Sequence, residues 1–184
     1  ASQPKIYDSA TGVVKENGKP AVYGAGSSQY LITSSVSLND GEWLAFAVAA
    51  RIAGAEIMGQ DMSGNRVNQI IKNTGTTSRS VGFNTSGGYN FDDSATFTST
   101  TSLTLHTSQL ASDVLEAFWN GQGNGGTAHT NQTTAACEFN IFRIGNSAAL
   151  YFTGYISEIV VYAYDESDNR TNIESNINTF YDIY

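Results

Sequence analysis

Tyr89-Asn90-Phe91-Asp92-Asp93 puts two aromatic rings, an amide and two carboxylates into one short stretch. Saccharide recognition uses that combination: a flat ring covers the apolar C–H face of a sugar, while amides and carboxylates fix its hydroxyls. Glu116 and Phe118 are two positions apart, so on an extended strand they share a face and add a ring and an acid from an exposed sheet surface. The expected carbohydrate-binding set is therefore Tyr89, Asn90, Phe91, Asp92, Asp93, Glu116 and Phe118. Asp92 and Asp93 are also adjacent hard-oxygen donors in what reads as a loop, which makes them the expected metal site and calcium the expected ion. The competing reading of that pair is a solvated acidic loop.

Other chemistries find little support. Glycoside hydrolysis needs two carboxyl groups facing each other across the scissile bond. Glu56 and Asp61 are an odd number of residues apart, which sets them on opposite faces of a regular strand. Glu116 and Glu158 fall on adjacent-looking late strands, where the structural reading leads. A nucleophile would have only His106 and His129 to serve it, and no G-x-S-x-G elbow occurs. Cys137 is the single cysteine, so it forms no internal disulfide and reads as a small apolar residue of a strand. Three N-x-S/T matches, at Asn84, Asn131 and Asn169, carry little weight, since such matches arise by chance in an Asn-, Ser- and Thr-rich chain. No catalytic residues are expected, and the chain is expected not to be an enzyme.

The elements that must position these residues are β-strands. At 184 residues and 40% hydrophobic, the chain can bury one sizeable core, and it reads as one domain over 1–184. Its formal charge of −8 and the absence of a basic stretch argue against nucleic acid and an anionic membrane as partners. No apolar run approaches the length of a membrane span, and residues 1–10 lack a signal-peptide core, so a soluble chain is expected. β-Favouring runs alternate with Gly, Asn, Ser, Thr and Asp clusters. Strands are predicted at 21–23, 29–33, 43–51, 56–61, 67–72 and 78–84, then at 102–110, 114–119, 129–134, 138–144 and 153–164, with turns at 86–88 and 121–126. Within 114–119, Leu115, Ala117 and Trp119 share the face assigned to the core, opposite Val114, Glu116 and Phe118. Trp43 is likewise assigned to the core. In the last strand Ser157, Ile159, Val161 and Ala163 oppose Ile156, Glu158, Val160 and Tyr162; both faces are fairly apolar, as in a central strand covered on both sides. Ile173, Ile177, Phe180 and Tyr184 then fall at helical spacing, predicting a closing α-helix capped by Asp165 or Ser167.

Phe152-Thr153-Gly154-Tyr155-Ile156-Ser157-Glu158-Ile159-Val160-Val161-Tyr162 resembles the last strand of laminin-G-like domains, in the concanavalin A-like lectin and glucanase superfamily. Gly18-Lys19-Pro20-Ala21-Val22, Trp119-Asn120-Gly121 and Arg143-Ile144-Gly145 agree with it in order. The resemblance implies an all-β, two-sheet antiparallel jelly-roll sandwich, here with a short C-terminal α-helix, and a calcium ion at the sandwich rim. The paired-acid motif that retaining glucanases carry on this fold is missing. Gln3 to Asp8 and Asn17 to Val22 also look like modules of secreted bacterial proteins and of virion tail or capsid appendages. Such modules often carry D-G-x-D-D-Y next; here the segment is Ala25-Gly26-Ser27-Ser28-Gln29-Tyr30, without its acids. Those modules have preceding sequence, so the chain is read as a domain that can be a fragment or processed product of a larger protein.

The expected function is noncatalytic glycan recognition or adhesion, on an extracellular or virion surface, with a cell-surface or environmental glycan as partner. A structural virion or decoration domain that self-associates within a larger virion assembly, without sugar binding, is the second reading. A glycoside hydrolase-like enzyme is the third.

Overall fold

A computed structural model describes residues 3–26, 29–36, 42–54, 56–62, 66–83, 89–98, 101–130, 137–143 and 151–184. Two short hairpins come first, β1 (Tyr7–Asp8) with β2 (Gly12–Val13) and β3 (Lys15–Glu16) with β4 (Lys19–Pro20). Then follow β5 (Val22–Ala25), β6 (Leu31–Val36), β7 (Trp43–Gly54), β8 (Glu56–Met62), β9 (Arg66–Asn73), β10 (Ser78–Phe83) and β11 (Tyr89–Asp93). The second half supplies β12 (Thr104–Ala111), β13 (Val114–Trp119), β14 (Thr127–Ala128), β15 (Cys137–Ile141), β16 (Phe152–Tyr162) and the helix α1 (Arg170–Tyr181). One sheet runs β11-β10-β9-β8-β15-β6 and the other β14-β13-β12-β7-β16-β5; neighbours are antiparallel. The neighbours are often distant in sequence, as in the crossing connections of a jelly roll.

β7 explains the layering. Its run Trp43-Leu44-Ala45-Phe46-Ala47-Val48-Ala49-Ala50 is wholly buried, the signature of a strand covered on both faces. Trp43, Ala45, Ala47 and Ala49 face the core between the sheets, with Ile57, Ile71, Leu110, Leu115, Phe139, Phe142 and Phe152. Leu44, Phe46, Val48 and Ala50 face outward beside Leu105 of β12, where Ile177 and Tyr181 cover them. α1 therefore lies across the outer face of the second sheet. That fold is the expected all-β, two-sheet sandwich with a short C-terminal helix.

Three local expectations change. Tyr89 to Asp93 is not a loop but β11, held by five cross-strand pairs to β10; tertiary pairing overrides the poor strand propensity of Asn and Asp. β16 carries an irregularity between Ile156 and Glu158, so Ile156 joins Ile159, Val161 and Ala163 on the core side and the simple alternation breaks at Ser157. On α1, the side chains packed inward are Ile173, Ile177 and Tyr181, four apart, while Phe180 is 58% exposed with the Lys19 ammonium 4.1 Å from its ring centre. Asp165 accepts the Ser167 N–H ahead of a 3₁₀ turn, whereas the α1 N-cap, Asn169, makes no side-chain cap bond. The turn expected at 86–88 and most of the strand expected at 129–134 lie outside the described residues, as do Asn84 and Asn131.

Candidate functional site

Strand alternation splits the Tyr89–Asp93 cluster in two. Phe91 and Asp93 look outward from the first sheet. Arg79, the cross-strand partner of Asp93, donates from Nε and Nη2 to the two Asp93 oxygens at 2.8 Å each. That guanidinium holds the Asp93 carboxyl below its usual range, and it also lies 5.2 Å from the centre of the Phe91 ring, which is 53% exposed. Asn90 and Asp92 turn the other way, toward the second sheet. The Asp92 side chain is buried, accepting the Ala117 N–H at 2.9 Å and the Thr127 hydroxyl at 3.1 Å, while the Asn90 amide donates to the Ala128 carbonyl. β14 pairs with β13 only at Val114 and Leu115, so the Ala117 N–H lies at an open edge, and Asp92 supplies its acceptor across the sandwich. Burial pushes the Asp92 carboxyl above its ordinary range, against those two hydrogen bonds. Tyr89 is placed on β11 by its backbone; its side chain lies outside what is described.

The structure does not bring the two carboxylates of the expected calcium site together. Asp92 and Asp93 are consecutive strand residues whose carboxylates diverge to opposite faces, and each is already bonded to protein donors. Their oxygens do not converge on one ion, and the described residues contain no cluster of three or more His, Cys, Asp or Glu suited to a metal.

Glu116 and Phe118 share the outer face of β13, as their spacing predicts, but not as an exposed platform. Phe118 is 5% exposed because the Arg170 guanidinium lies over its ring, 3.8 Å from the centre. Glu116 is half-buried; burial raises its carboxyl, against the pull of Arg170. Gly123 makes this packing possible, since a Cβ there would come within 2.7 Å of the Phe118 ring and 2.9 Å of Glu116 Oε1.

Beside this stack a groove of about 340 Å³ opens between α1 and the turn after β13. Glu174 forms its charged centre: a buried carboxylate that accepts the Thr107 hydroxyl at 2.8 Å and pairs with Arg170 one helical turn away. Asn120, Gly121 and Gln122 form the opposite rim. Asn120 Oδ1 accepts the Leu105 N–H, and Gly121, at φ +76°, passes beneath the Tyr184 hydroxyl and Glu174 Oε2. Tyr184, a residue 55% exposed, closes the third side. Its backbone is pinned by Asn178, whose Oδ1 accepts the Ile183 and Tyr184 N–H groups and whose amide donates to the Tyr184 carbonyl. Gln122, Thr171 and Ser175 add exposed amide and hydroxyl groups. Sequence reasoning picked out Trp119-Asn120-Gly121 and the Glu116–Phe118 face but missed Arg170, Glu174 and Tyr184, which reach the groove only when α1 docks.

Of the remaining candidates, Glu56 and His106 are packed into the fold. Glu56 is buried in an ion pair with Lys72 at 3.0 Å, while the Asp61 and Cys137 side chains lie outside the described set. The Tyr181 hydroxyl donates to the Ser157 carbonyl at 3.3 Å and so ties α1 to β16; burial, and then the Glu158 carboxylate, raise that phenol. His106 is fully buried against the Trp119 ring, its Nε2 in contact with Asn73 and Thr104, and burial pushes it down to about 3.

Together these features define an all-β sandwich with a polar, ring-bearing groove on the helix-covered face. No protein-family model matches the chain, and no curated protein sequence does. Among solved structures it is similar to a heptameric SAP-like pentraxin from Limulus polyphemus, with TM-score 0.62 and 9% identity over 78% of this chain and 76% of that one. It is also similar to Trypanosoma rangeli sialidase in complex with sialic acid, with TM-score 0.58 and 13% identity over 85% of this chain but only 28% of the sialidase. A third likeness is to the binding domain of Paraclostridial Mosquitocidal Protein 1, with TM-score 0.53 and 11% identity over 90% of this chain and 42% of that one. At such identities the likeness is one of fold, a jelly-roll sandwich.

Proposed function

We propose that the chain is a noncatalytic glycan-recognition module whose sugar occupies the groove between α1 and the β13–β14 turn. The observation that carries this is the exposed Tyr184 ring standing beside the Glu174–Arg170 pair in a groove of about 340 Å³. The volume falls in the range of small-molecule sites, roughly 300 to 1,000 Å³. The Tyr184 ring covers a C–H face, Arg170 and Gln122 donate to hydroxyl oxygens, and Glu174, Thr171 and Ser175 accept from hydroxyl protons. Phe118 and Glu116 set the position of Arg170 from below.

Likeness in fold to a pentraxin and to a binding domain supports a recognition role. Display on an extracellular or virion surface is supported by the resemblance of the Gln3–Asp8 and Asn17–Val22 segments to such modules. The test is a glycan array of the purified chain, repeated with Tyr184→Ala and with Ser175→Trp, which obstructs the groove from an exposed helix position. Neutral glycans are expected to bind, with at least about tenfold loss in each variant. Unchanged affinity in both variants would remove the groove from the argument.

A second reading, self-assembly without sugar, is favoured by one observation. Ile6, Tyr7 and Val13 are exposed together on the β1–β2 hairpin, where Tyr7 and Val13 are cross-strand partners. A blank array, with light scattering showing concentration-dependent association, would transfer the proposal to that reading.

A further inference from the structure

The opposite edge of the second sheet holds another set of chemistry-bearing residues. Lys5 forms a bridge with Tyr23 through two backbone hydrogen bonds of 2.8 Å, one in each direction, and Tyr23 is the cross-strand partner of Tyr155 on β16. Residues directly opposite each other on antiparallel strands point to the same face. Lys5, Tyr23 and Tyr155 therefore make a row: an ammonium, then two phenol rings. The ring centres are 4.9 Å apart and the planes tilted by 42°, an open corner rather than a closed stack. β1 contributes Asp8, the turn after it Thr11 and β3 Lys15, enclosing a groove of about 430 Å³.

Charge makes this groove unusual for the molecule. The chain has 9 Lys and Arg against 17 Asp and Glu, yet two of its lysines line this one groove. Lys72, Arg79 and Arg170 are each committed to a carboxylate, whereas Lys5 and Lys15 make no ion pair among the described residues. The one carboxylate in the lining, Asp8, spends Oδ1 on the Ala10 N–H. An acid entering the groove meets two cations against one anion, beside two rings and the Thr11 hydroxyl.

We propose that this groove is a second site, separate from the one beneath α1, and that it takes an acidic saccharide. The sugar carboxylate is held by Lys5 and Lys15, its ring lies against the Tyr23–Tyr155 corner, and Thr11 and Asp8 engage its hydroxyls. The inference rests on residues that share none with the α1 groove, so each site stands or falls by itself.

The test is calorimetric titration of the purified chain with trigalacturonate, with its methyl ester, and with a sulfated trisaccharide. The ester keeps the rings and most hydroxyls but loses the charge. Trigalacturonate is expected to bind at least tenfold tighter than the ester, and added salt is expected to narrow the gap. A Lys5→Gln/Lys15→Gln variant, altered only at surface lysines, is expected to bring the acid down to the affinity of the ester with an unchanged melting temperature. Tyr155→Leu is expected to weaken both ligands. Equal affinity for acid and ester, or full affinity in the double lysine variant, would overturn the proposal. So would tenfold tighter binding of the sulfated sugar than of trigalacturonate, or loss of trigalacturonate binding in Tyr184→Ala, which would assign the acid to the α1 groove.

Discussion

His106 makes a quantitative prediction about acid. It is fully buried between the sheets, and burial pushes it from an ordinary 6.5 down to about 3. Between those values the unfolded chain binds a proton at this residue and the folded chain does not. The group's contribution to stability is thus complete above pH 6.5 and is lost as pH falls toward 3, with a slope of about 1.4 kcal/mol per pH unit. From pH 7 to pH 5 the loss comes to about 2 kcal/mol. The assay is urea unfolding followed by the fluorescence of buried Trp43 and Trp119, for the parent chain and for His106→Gln, at pH 7, 6 and 5. His106→Gln starts less stable at pH 7, since its side chain must satisfy Asn73 and Thr104 in a fitted cavity, but its loss down to pH 5 is expected to be about 2 kcal/mol smaller. Parallel pH profiles for the two proteins would refute the reasoning. So would an NMR titration placing the His106 imidazole near its ordinary value. The same property removes His106 as a general base at neutral pH, since it takes up a proton only where the fold itself is failing.

Asp92→Ala is expected to cost about 2 to 3 kcal/mol in chemical denaturation, because the buried Ala117 N–H and the Thr127 hydroxyl both lose their acceptor, while glycan affinity stays the same. Arg79→Ala breaks an ion pair whose members are partly exposed, and its cost is expected to stay below about 1 kcal/mol. The Asp93 carboxyl is held low by Arg79, so that contribution exists above the unfolded carboxyl pKa and fades as pH falls through the lowered one; Arg79→Ala should therefore flatten the acid limb. Melting temperatures in EDTA and in millimolar calcium are expected to coincide, since Asp92 and Asp93 face opposite sides of β11. A calcium-dependent rise would show a donor set elsewhere.

The legible parts of the fold were those decided by local pattern. β13 appears with its predicted bounds and with Trp119 facing the core, because its alternation is unbroken. β7 reads as a strand because eight consecutive residues suit burial on both faces. β11 was not legible, since Asn and Asp belong to turns by propensity and become a strand only through Arg79, Ala117 and Ala128 on other strands. The irregularity at Ser157 leaves no mark in an apolar run that would suit either phase. The site suffered most. Phe118 looked exposed because its cover, Arg170, comes from the helix, and the Lys5–Tyr23–Tyr155 row joins three segments that only the sheet register brings together.

The order of α1 along the chain has a consequence for synthesis. Every strand of the second sheet precedes the helix, so a nascent chain can pair β7, β12, β13 and β16 while Leu44, Phe46, Val48 and Leu105 still face water. Until Ile177 and Tyr181 leave the ribosome, that sheet presents a sticky flank and the first groove does not exist, for Arg170, Glu174 and Tyr184 have not arrived. Any ligand that needs this groove therefore finds it only after α1 has docked and sealed the outer apolar layer.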